Sequence, residues 1–327
     1  MKASVVIPVF NKAPYLQACL DSVFTQTFQD FEVIAVDDAS TDASLDILRA
    51  CADPRLRIIR NERNIGPGGA AQRAMDDASG EYIIRVDADD IMYPDRFAVQ
   101  VAVLDGHPEV GATSGHLRLM TEHETLHRVE LSDAACKARM LFGVPLNQPA
   151  TAYRTAVLRQ HKVRFRDEWP RYGEDWMHQL ELARHTHFLN LDRPLIHYRK
   201  GAMNIAHGRD RAADLRFLYR YVFERLGWPL SDRQRELQLA TVKCFPKPFG
   251  AADVREFHAW LKELDRLNRE HGTFDQAALQ TQLRHHWEAL YYHLPAFGFG
   301  AAVQHMRCDG SWGWRKWRYL ISVFIKG

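Results

Sequence analysis

SVVIPVFNKAPYLQACLDSVFTQTFQDFEVIAVDDAS, residues 4–40, decides the fold. Its two ends, residues 4–9 and 31–36, are short apolar runs rich in β-branched residues, the pattern of buried strands. Between them Tyr15, Leu16, Cys19, Leu20, Val23 and Phe24 recur at spacings that place them on one helical stripe, and Pro14 suits a first helical turn. Strand, helix and strand in this order form a βαβ unit.

The same rhythm continues outward. Ser40, Thr41 or Asp42 can cap a helix carrying Leu45, Ile47 and Leu48; residues 56–59 form a third strand, Gly66 to Gly69 open a third helix, and residues 82–86 form a fourth strand. Four strands separated by helices predict a three-layer α/β/α sandwich with a mostly parallel central sheet. A helix over 94–104, strands at 110–114, 117–120, 188–191 and 195–198, and a helix over 174–184 follow. From about residue 210 long, charged segments of helical period replace strands and turns. The chain therefore divides into an α/β domain, 1–209, and a helical C-terminal region, 210–327.

Composition narrows the function classes. Of 327 residues, 43 are Lys or Arg and 41 Asp or Glu, a formal charge of +2, and 46% are hydrophobic. That balance excludes a disordered or collagenous chain and gives no basic surplus for a nucleic-acid partner. Five cysteines form no CxxC pair, so neither a disulfide framework nor a zinc ribbon is indicated; they read as reduced thiols. MKASVVIPVF lacks the long apolar region of a signal peptide, and no run approaches ~18 apolar residues. A cytoplasmic protein is expected, with peripheral contact at the inner face of the cell membrane the alternative to free solution.

In an open parallel sheet, ligands bind beyond the carboxyl ends of the strands. Here those ends carry Pro8-Val9-Phe10-Asn11, Asp37-Asp38-Ala39-Ser40, residues 61–69 and Asp87-Ala88-Asp89-Asp90. Single carboxylates at such places commonly serve as turn or helix caps. Asp87 and Asp89 differ, because a DxD turn sets two carboxylates where a hard divalent ion can bind together with a diphosphate.

With these stretches, RNIGPGGAAQRAMDDASGEYIIRVDADDIMYPDR and YGEDWMHQLELA, the chain resembles the family 2 glycosyltransferases of the GT-A fold over roughly residues 3–205. The resemblance implies an inverting transferase that moves a sugar from a nucleotide-sugar donor, most often UDP-linked, to a hydroxyl of a saccharide or of a polyprenyl- or lipid-linked acceptor in cell-surface glycan synthesis, with Mn2+ or Mg2+. It implies that Pro8, Val9 and Asn11 line the nucleotide and that Asp38 accepts from the base. Asp87 then lies near ribose and sugar, Asp89 coordinates the metal with Asp87 beside it, and Arg199 faces the diphosphate. Asp175 is implied as the base, with Glu174 the second candidate. Such a reaction needs a neutralised leaving diphosphate and a base aimed at the incoming hydroxyl.

Two departures stand out. Where the family has Ala-Arg-Asn, this chain has Ala70-Ala71-Gln72, with Arg73 two places further, a turn of about 200° on a helix. Where many members place a His after the Tyr-Arg pair, Gly201 stands here, followed by Ala202-Met203-Asn204, with His197 and His207 nearby. Competing functions are a non-catalytic nucleotide-sugar-binding scaffold subunit, a sugar nucleotidyltransferase, for which PVFNKAP lacks the Gly-rich loop, and a dinucleotide oxidoreductase, for which no GxGxxG follows the first strand.

At the end of the chain Trp317, Leu320, Ile321, Phe324 and Ile325 recur at helical spacing beside Arg315, Lys316, Arg318 and Lys326. This pattern fits an interfacial helix at a membrane or, equally, a helix docked on the protein itself or on a second copy in a homodimer.

Overall fold

Eleven strands are spread over two sheets in the computed structural model, which describes residues 1–123, 125–201 and 208–326. They are β1 (Ala3–Val9), β2 (Phe31–Asp37), β3 (Leu56–Arg60), β4 (Tyr82–Arg85), β5 (Ile91–Met92), β6 (Val110–Thr113), β7 (Gly115–Leu119), β8 (Leu126–His127), β9 (Ala152–Arg154), β10 (His187–Phe188) and β11 (Leu191–Tyr198). The larger sheet has the order β10-β6-β9-β4-β1-β2-β3. Only β9 runs against its neighbours, pairing antiparallel with both β4 and β6. A smaller sheet, β5-β11-β7-β8, lies beside it in the chain's first compact unit, residues 1–136 and 144–207.

Central strands are buried on both faces and read as unbroken apolar runs. Successive side chains of β1 point to opposite sides. Val5, Ile7 and Val9 share a core with Leu16, Cys19, Leu20 and Val23 of α1 (Ala13–Phe24). After α2 (Ser44–Ala50) and β3, the helix α3 (Gly66–Asp76) buries Ala70, Ala71 and Ala74 against β1 and β2. Phe97, Val101 and Leu104 of α4 (Arg96–Gly106) join the core shared with α1.

This order of strands brings the ends of β1, β2 and β4 side by side, as β1 pairs in parallel with both β2 and β4. The loops after β1 and β2 are tied together: Asn11 N–H donates to Ser40 Oγ at 3.1 Å, Asn11 Oδ1 accepts from Thr41 N–H at 2.8 Å, and Lys12 N–H donates to Ser44 Oγ at 2.8 Å. Asn11 and Ala39 both adopt positive φ, 51° and 60°, strain of the kind that gathers at binding loops.

Three short helices follow, α5 (Asp133–Arg139), α6 (Thr155–Gln160) and α7 (Glu174–Leu182). Within α5 the chain leaves the first unit, and residues 137–143 belong to a second, helical unit together with residues 208–327. Leu141 and Phe142 are fully buried there. Leu141 O accepts from Gln238 at 2.7 Å, and Phe142 O accepts from the Tyr219 hydroxyl at 3.2 Å. The rest of this unit is α8 (Arg211–Arg225), α9 (Asp232–Leu239), α10 (Ala251–His271), α11 (Gln276–Tyr291), α12 (Phe299–Asp309) and α13 (Trp314–Lys326). Asp210 caps α8 and Ser231 caps α9 through their side chains.

Candidate active site

The turn after β4 supplies the centre of the site. Arg85, the last residue of β4, is buried and holds Asp87 Oδ1 at 2.8 Å from its Nη2. Lys12, just after β1, forms an ion pair with Asp89. The Asp87 side chain keeps about a third of its surface exposed (34%) and Asp89 a tenth (10%). Asp90 is fully buried; its Oδ1 accepts from the Arg199 N–H at 2.9 Å, and its Oδ2 has no hydrogen-bond partner among the described residues. Burial, followed by repulsion from Asp87 and Asp89, pushes the Asp90 carboxyl well above the usual carboxylate range.

Arg199 reaches the same turn from the end of β11. Its Nε donates to Asp89 O at 3.2 Å, and its guanidinium lies 4.1 Å from the centre of the Tyr15 ring, a cation–π contact that fixes the plane of the fork. Residues 202–207, with Asn204 and His207, lie outside the described residues. His197 stacks on Tyr93 at 4.6 Å.

Glu174 and Asp175 occupy the first turn of α7, which Gly173 enters at φ +80°. Asp175 Oδ1 accepts from the Trp176 N–H at 2.8 Å. Burial first, and then the adjacent Asp175, raise the Glu174 carboxyl to about 8. Asp175 is also raised, by burial first; Asp87 adds to the shift and Arg85 opposes it. Asp87 and Arg85 thus act on both acids of α7, which brings the DxD turn and the ED pair into one electrostatic cluster.

A cavity of about 430 Å³ opens beside Glu174, between the start of α3 and the 165–171 loop. Gly66, at φ +89°, would set a Cβ 3.1 Å from the Arg171 side chain, and Gly68 would set one 3.0 Å from Glu174, so bare backbone forms this wall. The opposite wall carries Phe165, Trp169 and Arg171. Phe165 stacks at 4.3 Å on His178, whose burial lowers it to about 3 and keeps the imidazole neutral. Arg171 bonds Asn64 twice, at 2.6 and 2.9 Å.

The remaining residues of the sequence reading serve this frame. Pro8 and Val9 end β1 beside Val36 and Asp37 of β2. Asp38 is almost fully buried and accepts from Asn61 Nδ2 at 2.7 Å and from the Ile65 and Gly66 N–H groups at 2.9 Å each. It pins the loop that opens α3. Arg73 turns toward Asn61 Oδ1 and Arg60 O, so it braces that same loop from behind.

Magnesium and manganese are commonly held by one or two carboxylates and by substrate phosphates, with water in the remaining positions. Asp87 and Asp89 offer that donor set, and among the described residues no three His, Cys, Asp or Glu side chains gather into an all-protein cage. The site fits a hard cation shared with a ligand's oxygens.

Sequence reasoning missed Arg85, Lys12 and the wall at Phe165, Trp169 and Arg171. A charged residue in the otherwise apolar run YIIRVDADD was the available signal for Arg85.

Residues 4–161 match the family described as Glycosyl transferase family 2. An uncharacterized glycosyltransferase of Haemophilus influenzae is 29% identical over 60% of this chain and 64% of its own length. The succinoglycan biosynthesis protein ExoO of Rhizobium meliloti is 29% identical over 70% of this chain and 71% of its own. A poly(ribitol-phosphate) beta-glucosyltransferase of Bacillus spizizenii matches at 45% identity, but over only 28% of this chain and 15% of its own. Among solved structures, S. aureus TarS 1-349 in complex with UDP-GlcNAc superimposes with TM-score 0.57 and 19% identity over 95% of this chain and 91% of that one. The mannosyltransferase PcManGT of Pyrobaculum calidifontis, in complex with GDP-Man and Mn2+, gives 0.51 and 20% over 99% and 86%. These likenesses show a GT-A type of α/β fold.

Proposed function

The chain is a family 2 glycosyltransferase, with that family's domain over residues 4–161, and we propose that it transfers a sugar from a UDP-sugar to a hydroxyl of a saccharide or lipid-linked saccharide, with inversion at the anomeric carbon, in cell-surface glycan synthesis. The observation that carries this reading is the electrostatic cluster in which Asp87 and Arg85 act on both Glu174 and Asp175. That cluster supports the reading of a base near the turn where a diphosphate would be held.

Asp175 is the base that takes the proton from the acceptor hydroxyl. Its raised pKa makes it a better proton acceptor than a solvent-exposed Asp, and Arg85 opposes that rise and so favours the ionised form. Glu174, which holds its proton at neutral pH, lines the cavity and can hydrogen-bond an acceptor without adding a second negative charge. The Phe165 and Trp169 rings offer that acceptor a flat apolar wall. Lys12 and Arg199 bring positive charge to the diphosphate side. Asp89, with Asp87, would hold a divalent cation, Mn2+ or Mg2+, which neutralises the departing nucleoside diphosphate. Pro8, Val9 and Asn11 line the nucleotide, and Asp38 acts there through the loop it fixes.

Support for the donor class comes from the TarS structure, which holds UDP-GlcNAc; PcManGT holds GDP-Man instead. A thermal-shift panel of UDP, GDP, CDP and dTDP sugars with and without Mn2+ tests the assignment. Stabilisation by a UDP-sugar that requires the metal is the expected result. Stabilisation by a GDP-sugar alone would replace the donor, and an Asp175→Asn protein that still transfers sugar would refute the assigned base.

A further inference from the structure

α13 (Trp314–Lys326) keeps one side against its own helical unit and leaves another bare. Leu320 is fully buried, Lys316 nearly so. The Tyr291 hydroxyl donates to Lys316 O at 2.6 Å, the Tyr319 hydroxyl donates to Tyr292 O at 2.9 Å, and Lys316 pairs with Glu288 at 3.1 Å. Docking on the protein's own core is therefore already accounted for by this side.

The apolar residues that remain form a second stripe. Trp314, Trp317, Ile321 and Phe324 follow at i, i+3, i+7 and i+10, and Trp314 is 74% exposed. Two further exposed aromatics extend the stripe: Phe299 lies 5.8 Å from the Phe324 ring and 6.4 Å from Trp317, and Trp312 stacks on Trp317 at 6.1 Å. Scattered apolar residues on a surface need no explanation, whereas a contiguous aromatic patch marks a contact. Exposed Arg315 and Arg318 border it, and residues 310–327 contain no Asp or Glu.

We infer that this stripe docks the protein on an anionic lipid bilayer, with the helix lying in the plane of the interface. Tryptophans suit the headgroup level, where one end of the ring is apolar and the other wet. Arginines flanking the stripe meet anionic headgroups with no acid within residues 310–327 to cancel them. A two-fold pairing of the stripe with a second copy would instead set one acid-free basic face against another. No described helix is long and apolar enough to cross a membrane, so the contact rests on the surface.

The test is co-sedimentation of the full chain with vesicles of phosphatidylcholine alone or with phosphatidylglycerol added, alongside light scattering of the protein in solution. Binding to the anionic vesicles, weakened by salt and reduced more than about tenfold both in Trp314→Ser/Phe324→Ser and in Arg315→Glu/Arg318→Glu, is expected. Melting temperatures identify a variant that fails to fold; the arginine pair, fully at the surface, then carries the test. Absence of the wild-type chain from both vesicle pellets would overturn the proposal, as would unchanged binding by a folded variant. A dimer dissolved by Trp314→Ser/Phe324→Ser would assign the stripe to a second copy instead.

Discussion

The Lys12 ammonium lies 2.5 Å from Asp89 Oδ2, with both side chains largely withdrawn from water. A cation arriving at Asp89 must therefore compete with a positive charge already in place. Diphosphate changes that balance, because its oxygens can draw Lys12 away while sharing the cation. With Asp89 in its proposed role, the pair would make metal binding depend on the donor.

Replacement of Lys12 should expose this dependence. In Lys12→Ala the affinity for Mn2+ without nucleotide is expected to rise about tenfold, on the order of the attraction between near charges at a partly solvated site, while UDP-sugar affinity falls. Calorimetric titrations in the two orders of addition measure both. Unchanged metal affinity would show that Lys12 does not gate Asp89.

Asp175→Asn should lower kcat by a factor of about 10² to 10⁴, the usual worth of a positioned base, with donor binding retained. Glu174→Gln should act more mildly, since the native side chain is already protonated at neutral pH. It should also change stability. A carboxyl raised to about 8 leaves the native state holding a proton that the unfolded chain releases near its ordinary value of 4.5, so stability falls as pH rises between them. Glu174→Gln removes that slope; its melting temperature should match the parent at pH 4 and exceed it at pH 9.

Arg85 lowers the pKa of Asp175, so its loss should raise it. The acidic limb of the kcat/KM profile is expected to move to higher pH in Arg85→Gln. A fall in rate without movement of that limb would point to misfolding or to a role confined to Asp87.

How much of this could be read from the chain alone follows the physics of each signal. The β1, β2 and β4 runs are buried on both faces, and burial forces an apolar composition that shows without a structure; the ends of those strands then locate Asp38, Asp87 and Asp89. β9 carries only three residues and enters the sheet antiparallel between β4 and β6, too short for any period to register. Lys12 was hidden for another reason: a counter-charge is chosen by spatial approach, and Lys12 is 77 residues from Asp89. The aromatic wall at 165–171 lies in a loop, where no periodicity exists to be read. Arg73 illustrates the converse, since its displacement by two positions was visible and the structure shows where the side chain goes instead.

Asp38 should prove a structural pin as well as a donor-site residue. Asp38→Ala strands three donors, those of Asn61, Ile65 and Gly66, and is expected to cost about 2–4 kcal/mol in urea denaturation. Asp38→Asn should recover only part of this, because its amide NH2 would face an N–H on one side. Equal stability of all three proteins would remove Asp38 from the frame of the α3 loop.

The seven residues 137–143, buried among the helices of the second unit although they arise in the midst of the first, make the polypeptide a poor candidate for scissors. A fragment ending at residue 207 would carry Leu141 and Phe142 stripped of their shelter, and grafting the helical module onto another transferase would demand two splice points rather than one.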